Sequence, residues 1–477
     1  MNKNSTIYIV NRNEIEDIAI DRSVVEIRNE NLLITILNVI GNCFINNIVF
    51  IVSNFISAIN LILLGHILQQ NRTHYELFMT YQIGVSIIDF FGRVFILGLL
   101  RYNFEKKEYR KLFKTYLRFK TGLIVLIPSI MIPVSLCSYF IIKLLLRNNL
   151  DIYNQSLNKQ IYFKFLIFSP IIYFFEILFY LNLLLLRAFE EIKAIISYTN
   201  LFIICHLVSC WILLYILKIG ILGLTISYML NTFAFYFFSN SYINNKKEED
   251  AQNFIVIPPK EYIDYNLINI LKIASTFSIR YVTDCFLYYI LFIATLFTNK
   301  LKLIVNIIYL NFYCIANEIN KGFYLTFKHY LLHTKESNEE KKKYILVFSL
   351  TFFIIILSVF VILIVFKNIL MYIYLINGGN EDLKIISNSI QIIYSFCILF
   401  NGIQIILYGF IRGMASASPI SNKFIYSFIF LFLCLMLCFI YKLSVFGLWI
   451  AVLILYLFYT IHNGYNSIIH FNTIFFK

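Results

Sequence analysis

Seven ionisable side chains interrupt long apolar stretches of this 477-residue chain: Asp89, Arg93, Glu176, Arg280, Asp284, Glu318 and Lys321. A charge inside a hydrocarbon layer costs about 2.5–3.5 kcal/mol on insertion scales, so each is a functional candidate by default. Spacing sorts them. Asp89 and Arg93 stand at i, i+4, and Glu318 and Lys321 at i, i+3, so either pair can neutralise itself on one helix face. Glu176 has no charged neighbour in sequence; it needs a partner on another helix or faces a cavity. Asp284 is the leading candidate for cation chemistry. A carboxylate there could load a proton from one side and release it to the other. It could equally hold an organic cation, helped by Tyr281 and Tyr288, one turn away on either side. Competition between proton and cation for one carboxylate would couple their movements. Arg280, one turn earlier, offers the alternative: paired with it, Asp284 is a structural anion.

Uncharged polar residues add a second tier. Asn401 and Gln404, at i, i+3, present amides to one side of an apolar run, for a substrate or for a partner helix. Asn60 sits in another such run but cannot titrate. His206 stands alone in its run and reads as a packed histidine. The nine cysteines (43, 137, 205, 210, 285, 314, 397, 434, 438) all fall in apolar runs without CxxC spacing, so neither a disulfide framework nor a zinc site is expected. No Ser/His/Asp cluster, HExxH or GxxxxGK[ST] pattern is present, so catalysis, bound cofactors and ATP-driven work are not expected.

The elements that must position these residues follow from composition. Sixty per cent hydrophobic and fourteen per cent charged residues exclude a soluble globular chain, in which about a quarter of residues are charged. The fold class expected is an all-α polytopic membrane protein. Hydropathy places about twelve spans of bilayer length at 34–64, 77–100, 121–146, 161–186, 194–217, 221–243, 266–297, 303–327, 344–373, 385–411, 421–441 and 446–470. The net charge of +14 sits in short hydrophilic stretches, eight Lys or Arg in 101–120 and five Lys in 328–343, so it reads as a topology signal and not as a nucleic-acid surface. Both stretches and both termini are then expected in the cytoplasm. The polar first thirty residues lack the order of a cleavable signal, so the first span is expected to drive insertion.

The chain also repeats at an offset of about 225 residues. LKIGILGLTISYML from Leu217 matches YKLSVFGLWIAVLIL from Tyr441, and Arg187 pairs with Arg412. Two six-helix halves in parallel orientation are expected: a cytoplasmic tail at 1–30, a first half at 31–243, a linker at 244–265 and a second half at 266–477, enclosing a central cavity.

The stretch NGIQIILYGFIRG, from Asn401 to Gly413, followed by Gly447, Leu448, Trp449 and Ile450, resembles the late helices of the multidrug and toxic compound extrusion (MATE) family. NLILLGH, from Asn60 to His66, is similar to the family's first-helix pattern, with Asn60 where an aspartate is usual. Leu271 to Phe297 is similar to the seventh helix of the eukaryotic branch, placing Asp284 on its glutamate, with Tyr289 in place of a second acidic residue. The patterns usual after helices two and eight read RYNFEKKEY and HYLLHT here, so the resemblance is to a divergent member. It implies a secondary transporter exporting organic cations or amphipathic small molecules for H⁺ or Na⁺, acting as a monomer in a plasma, vacuolar or other organelle membrane. The substrate and ion residues it points to are Asp284, Asn60, Asn401, Gln404, Tyr288 and Glu176. A lipid-linked oligosaccharide flippase of the same superfamily, or an uncoupled carrier, is the alternative.

Overall fold

Ile and Phe, abundant in the spans, are mediocre helix formers in water. In a bilayer every backbone amide must bond within its own segment, and helix is what an isolated apolar run then adopts. The computed structural model describes residues 32–67, 74–101, 109–145, 156–249, 262–263, 265–296, 298–333, 338–414 and 444–475, with a few isolated positions between 429 and 436. Among them regular structure is helical throughout: α1 (Leu32–Ile67), α2 (His74–Ile88), α3 (Val94–Leu99), α4 (Tyr109–Leu145), α5 (Ser156–Ala188), α6 (Ile192–Trp211), α7 (Ile221–Glu249), α8 (Tyr265–Leu296), α9 (Lys300–His333), α10 (Asn338–Val365), α11 (Ile369–Tyr374), α12 (Glu381–Met414) and α13 (Ser444–Phe475). The chain is an all-α integral membrane protein.

Eleven of the twelve expected spans fall on these helices; the twelfth, 421–441, lies outside the described residues apart from isolated positions, as does the tail at 1–30. Seven described helices are long and apolar enough to cross a membrane by composition alone. The others carry their own polar load: α9 alone holds Asn306, Asn311, Asn317, Glu318, Asn320 and Lys321. Three boundaries differ from expectation. The basic stretch 101–120 is not all loop, because α4 begins at Tyr109. The expected span 344–373 breaks after Val365, where Asn368 takes a left-handed conformation (φ 58°) before α11. α7 runs to Glu249, into the expected linker, and Lys246 there pairs with Glu191; residues 250–261 lie outside the described set.

The duplication is visible in the elements. Shifting α5 by 224 residues gives 380–412, against Glu381–Met414 for α12, and shifting α7 gives 445–473, against Ser444–Phe475 for α13. Gly220 and Ser444, also 224 apart, both hold positive φ (70° and 55°) at the starts of those two helices, Gly220 just before α7 and Ser444 as the first residue of α13. Packing repeats too: α5 lies on α4 and α7, as α12 lies on α10 and α13. The halves meet through α1 against α9 and α3 against α8, which is one contact seen from each copy.

Side-chain size sets how closely those pairs approach. A Cβ on Gly98 would sit 2.7 Å from Ser278 Cα on α8, and one on Gly322 would collide with the carbonyl oxygen of Cys43 on α1. Gly98 and Gly322 are again 224 apart. At the far end of α1, a Cβ on Gly65 would strike the Tyr374 carbonyl oxygen, while His66 Nε2 lies 2.8 Å from the Ile373 carbonyl oxygen. The Gly-His motif therefore seats α1 on α11.

Candidate functional site

Buried charge gathers where α2 loosens. Between α2 and α3 the winding opens into a π turn, Asp89–Arg93, whose two end residues are the charged ones; such turns often mark functional sites. Arg93 is the hub. Its Nε and Nη2 reach Glu176 Oε2 and Oε1 on α5 at 3.1 and 2.6 Å, a bidentate pair. Nη2 also donates to Ser53 Oγ on α1 at 2.6 Å, and Nη1 to Asp89 Oδ2 at 3.2 Å. Tyr228 of α7 donates to Glu176 Oε1 at 2.6 Å, and the Tyr173 ring lies 5.1 Å from the guanidinium. Glu176 is fully buried and Arg93 is 7 % exposed, so water cannot replace these partners. Two carboxylates face one guanidinium, so the ionised cluster carries one negative charge in excess.

A hydrogen-bonded network adjoins this cluster. Asn60 Nδ2 donates to Tyr81 OH at 3.2 Å, which leaves Asn60 Oδ1 to accept from His206 Nε2 at 2.8 Å. The other ring nitrogen of His206, Nδ1, faces Ser227 Oγ at 3.1 Å. The His206 and Tyr228 rings stack edge to face at 5.4 Å, so the network touches the cluster through the tyrosine that binds Glu176.

A second charged group straddles the two halves. Glu318 of α9 accepts from Lys321 Nζ at 2.8 Å, from Arg101 Nη2 at 2.8 Å and from Asn47 Nδ2 at 2.9 Å. Arg101, just past α3, also donates to Asn47 Oδ1 at 3.0 Å and lies 3.6 Å from the centre of the Phe50 ring. Asn47 is the one non-helical residue within α1 (φ −127°, ψ 17°). The interruption frees the neighbouring Asn46 carbonyl, and Arg187 binds it at 3.0 Å. Here two cations face one carboxylate, so this group carries one positive charge in excess.

The expected residues divide accordingly. Asp89 with Arg93 and Glu318 with Lys321 do pair as their spacing suggests, and Glu176 finds its partner on a neighbouring helix. Tyr288 accepts from Gln82 Nε2 at 3.4 Å, while Tyr281 lies beneath the protein's own cations, 4.9 Å from Arg101 and 5.2 Å from Lys321. Asn401 donates to Asn317 Oδ1 at 3.3 Å and accepts from Gln404 at 3.1 Å, an α12-to-α9 link within the second half. Trp449, fully buried, donates to Asn306 at 3.0 Å. Asp284 and Arg280 both lie on α8, but their side chains are outside the described residues.

Sequence reasoning missed Arg101, Asn47, Ser53 and Tyr228. Arg101 was grouped with a basic loop, although it directly follows an apolar run, a position from which a long side chain can turn back inward. His206 is packed, as its place in an apolar run suggests, and an imidazole buried there requires partners, which Asn60 and Ser227 supply.

Among the described residues, helices repeated in two matching halves with charge buried where the halves meet define a polytopic membrane protein, and the fold is one shared by solved MATE and MOP superfamily structures. Particular solved structures share it along almost the whole chain. The eukaryotic MATE transporter AtDTX14 is 14 % identical over 92 % of this chain and 96 % of its own, with a TM-score of 0.68. A MOP superfamily transporter from Pyrococcus furiosus, described as having a binding pocket of reverse polarity, is 12 % identical over 91 % and 96 %, with a TM-score of 0.63. The lipid II flippase MurJ in an inward closed conformation is 16 % identical over 88 % and 86 %, with a TM-score of 0.58. No protein-family profile and no curated protein matches the sequence. The likeness is one of fold, and at that level the expected MATE resemblance holds.

Proposed function

We propose that the protein is a secondary transporter that exports organic cations or amphipathic small molecules in exchange for H⁺ or Na⁺. The observation that carries this reading is the uncompensated carboxylate of the Asp89–Arg93–Glu176 cluster. A negative charge in a low-dielectric interior calls for a cation, and a proton and a substrate cation would compete for it, which is the condition for exchange. Asp284 on α8, the repeat mate of Asn60, is proposed as a second cation-binding carboxylate, with Tyr288 on the same helix. Asn60, Glu176, Asn401 and Gln404 complete the proposed substrate and ion residues. The protein acts as a monomer in a plasma or organelle membrane, with both termini cytoplasmic, and needs no cofactor beyond the coupling ion.

The test is uptake of a fluorescent organic cation into proteoliposomes under an imposed pH or Na⁺ gradient. Parent protein should respond to one of the gradients, and Asp89→Asn should reduce that response at least tenfold. Flux that ignores both gradients in the parent would point to an uncoupled carrier. A second reading, movement of an anionic lipid-linked sugar, is favoured by the excess positive charge of Arg101 and Lys321 against Glu318. It predicts transfer of a lipid pyrophosphate between leaflets and no organic-cation flux.

A further inference from the structure

We infer that His206 is a proton-binding site, built into the first half by a network that satisfies both protonation states of the ring. The inference deepens the exchange proposed above and rests on it for the link to transport; the proton site itself stands on geometry.

In the neutral state the hydrogen-bond directions are fixed. Asn60 uses its Nδ2 on Tyr81 OH, so its Oδ1 accepts, and His206 Nε2 must carry the hydrogen. His206 Nδ1 is then the lone-pair nitrogen, and the Ser227 hydroxyl donates to it at 3.1 Å. A proton arriving at Nδ1 requires that hydroxyl to turn round. Its hydrogen has somewhere to go, because Ser209 Oγ lies 2.6 Å from Ser227 Oγ. Ser209 can in turn donate to the Cys205 carbonyl at 2.7 Å while accepting from Asn231 Nδ2 at 2.8 Å, so it can take one hydrogen bond more. Ser227 Oγ, freed as an acceptor, then receives the new Nδ1–H while keeping the Cys210 thiol at 3.1 Å. In the neutral state Ser209 donates across the 2.6 Å contact to Ser227, and on protonation both hydroxyls turn, Ser209 to the Cys205 carbonyl and Ser227 to Ser209, so every polar atom in the chain of contacts keeps a partner at the cost of two hydroxyl rotations.

His206 is fully buried, which works against a positive ring, so the charge depends on the groups around it. The groups facing His206 are Asn60 of α1, Tyr81 of α2 beyond it, Cys210 of its own helix, and Ser227, Tyr228 and Asn231 of α7. None of these is a cation. The charge nearest along the contacts is Glu176, held by Tyr228 OH at 2.6 Å, and it belongs to the cluster with one negative charge in excess. A proton on His206 balances that excess. A cation bound at Asp89 would balance it as well, so the two occupancies oppose each other. Asn60, which cannot titrate, is thereby joined to a group that can.

The experiment has two arms. In the first, the full chain is labelled with ¹⁵N-histidine in lipid nanodiscs and its ring nitrogens are followed from pH 5 to 8; the His206 signal, one of seven, is assigned by its loss in His206→Gln. A ring that gains and loses a proton within that window is expected, and a ring that stays neutral throughout overturns the inference. In the second arm, His206→Gln, whose amide can still donate to Asn60, is compared with the parent in proteoliposomes. A gradient of one pH unit can drive about tenfold accumulation per exchanged proton. The parent should approach that ratio and the variant should fall to about one, whereas an unchanged ratio overturns the inference. If the parent moves no organic cation under any gradient, the transport proposal fails, and the first arm still decides the proton site.

Discussion

Glu318→Gln separates a working junction between the halves from incidental surface pairing. Glu318 is 2 % exposed and receives hydrogen bonds from Lys321, Arg101 and Asn47. Replacing it by the isosteric amide leaves two partly buried cations facing a neutral group, and breaking a pair whose carboxylate is buried costs about 3 kcal/mol, the low end of the range for fully buried pairs. Part of that cost is repulsion between the orphaned cations, so Glu318→Gln with Lys321→Met should recover stability relative to Glu318→Gln alone. Arg101 would still hold Asn47 and the Phe50 ring. The readout is maleimide labelling of Cys43, which is 1 % exposed on α1 beside Gly322 of α9 and becomes reactive only when that contact opens. A cost of about 3 kcal/mol means labelling about a hundredfold faster at a fixed detergent composition. Labelling within threefold of the parent, or a double variant no better than the single one, would refute the coupling of these charges across the halves.

Three further outcomes follow from the same geometry. Gly98→Val and Gly322→Val should each destabilise by about 1–3 kcal/mol through overpacking, while Gly41→Ala, with no atom within 4 Å of the added carbon, should be neutral in the same thermal assay. Tyr228→Phe removes a hydrogen bond to a buried carboxylate, worth about 1.5–3 kcal/mol, and should lower thermal stability without loss of membrane insertion. Trp449→Phe leaves Asn306 Oδ1 without its donor and should cost about 1–3 kcal/mol, measured by unfolding in mixed micelles.

What could be read from the sequence was what local physics fixes. Span lengths follow from bilayer thickness, and the ends of Asp89–Arg93 and Glu318–Lys321 meet because helical winding puts them on one face. The duplication left matching glycines and matching helix starts, readable as a repeated string. Partners on different helices were not legible. Glu176 and Arg93 are 83 residues apart, His206 and Asn60 are 146 apart, and Arg101 and Glu318 are 217 apart. Their meeting depends on the register in which helices pack, and no periodicity along one chain encodes that. The glycines of the late motif are local in the same way as the span lengths: Gly402 and Gly413 lie where a Cβ would meet Ile356 and Leu331, the close helix approach that a glycine in a span permits.

The wide turn at Asp89–Arg93 has no counterpart in the mate helix, where α9 runs from Lys300 to His333 without a π segment. One residue of slack in an otherwise regular rod corresponds to about 100° of rotation. Winding that slack out would swing the earlier part of the rod around relative to the later part, and Asp89 would leave Arg93 while Gly98 stayed lodged against Ser278. One copy of the duplicated frame is thus a stiff strut and the other carries a swivel, so two halves alike in outline need not move alike.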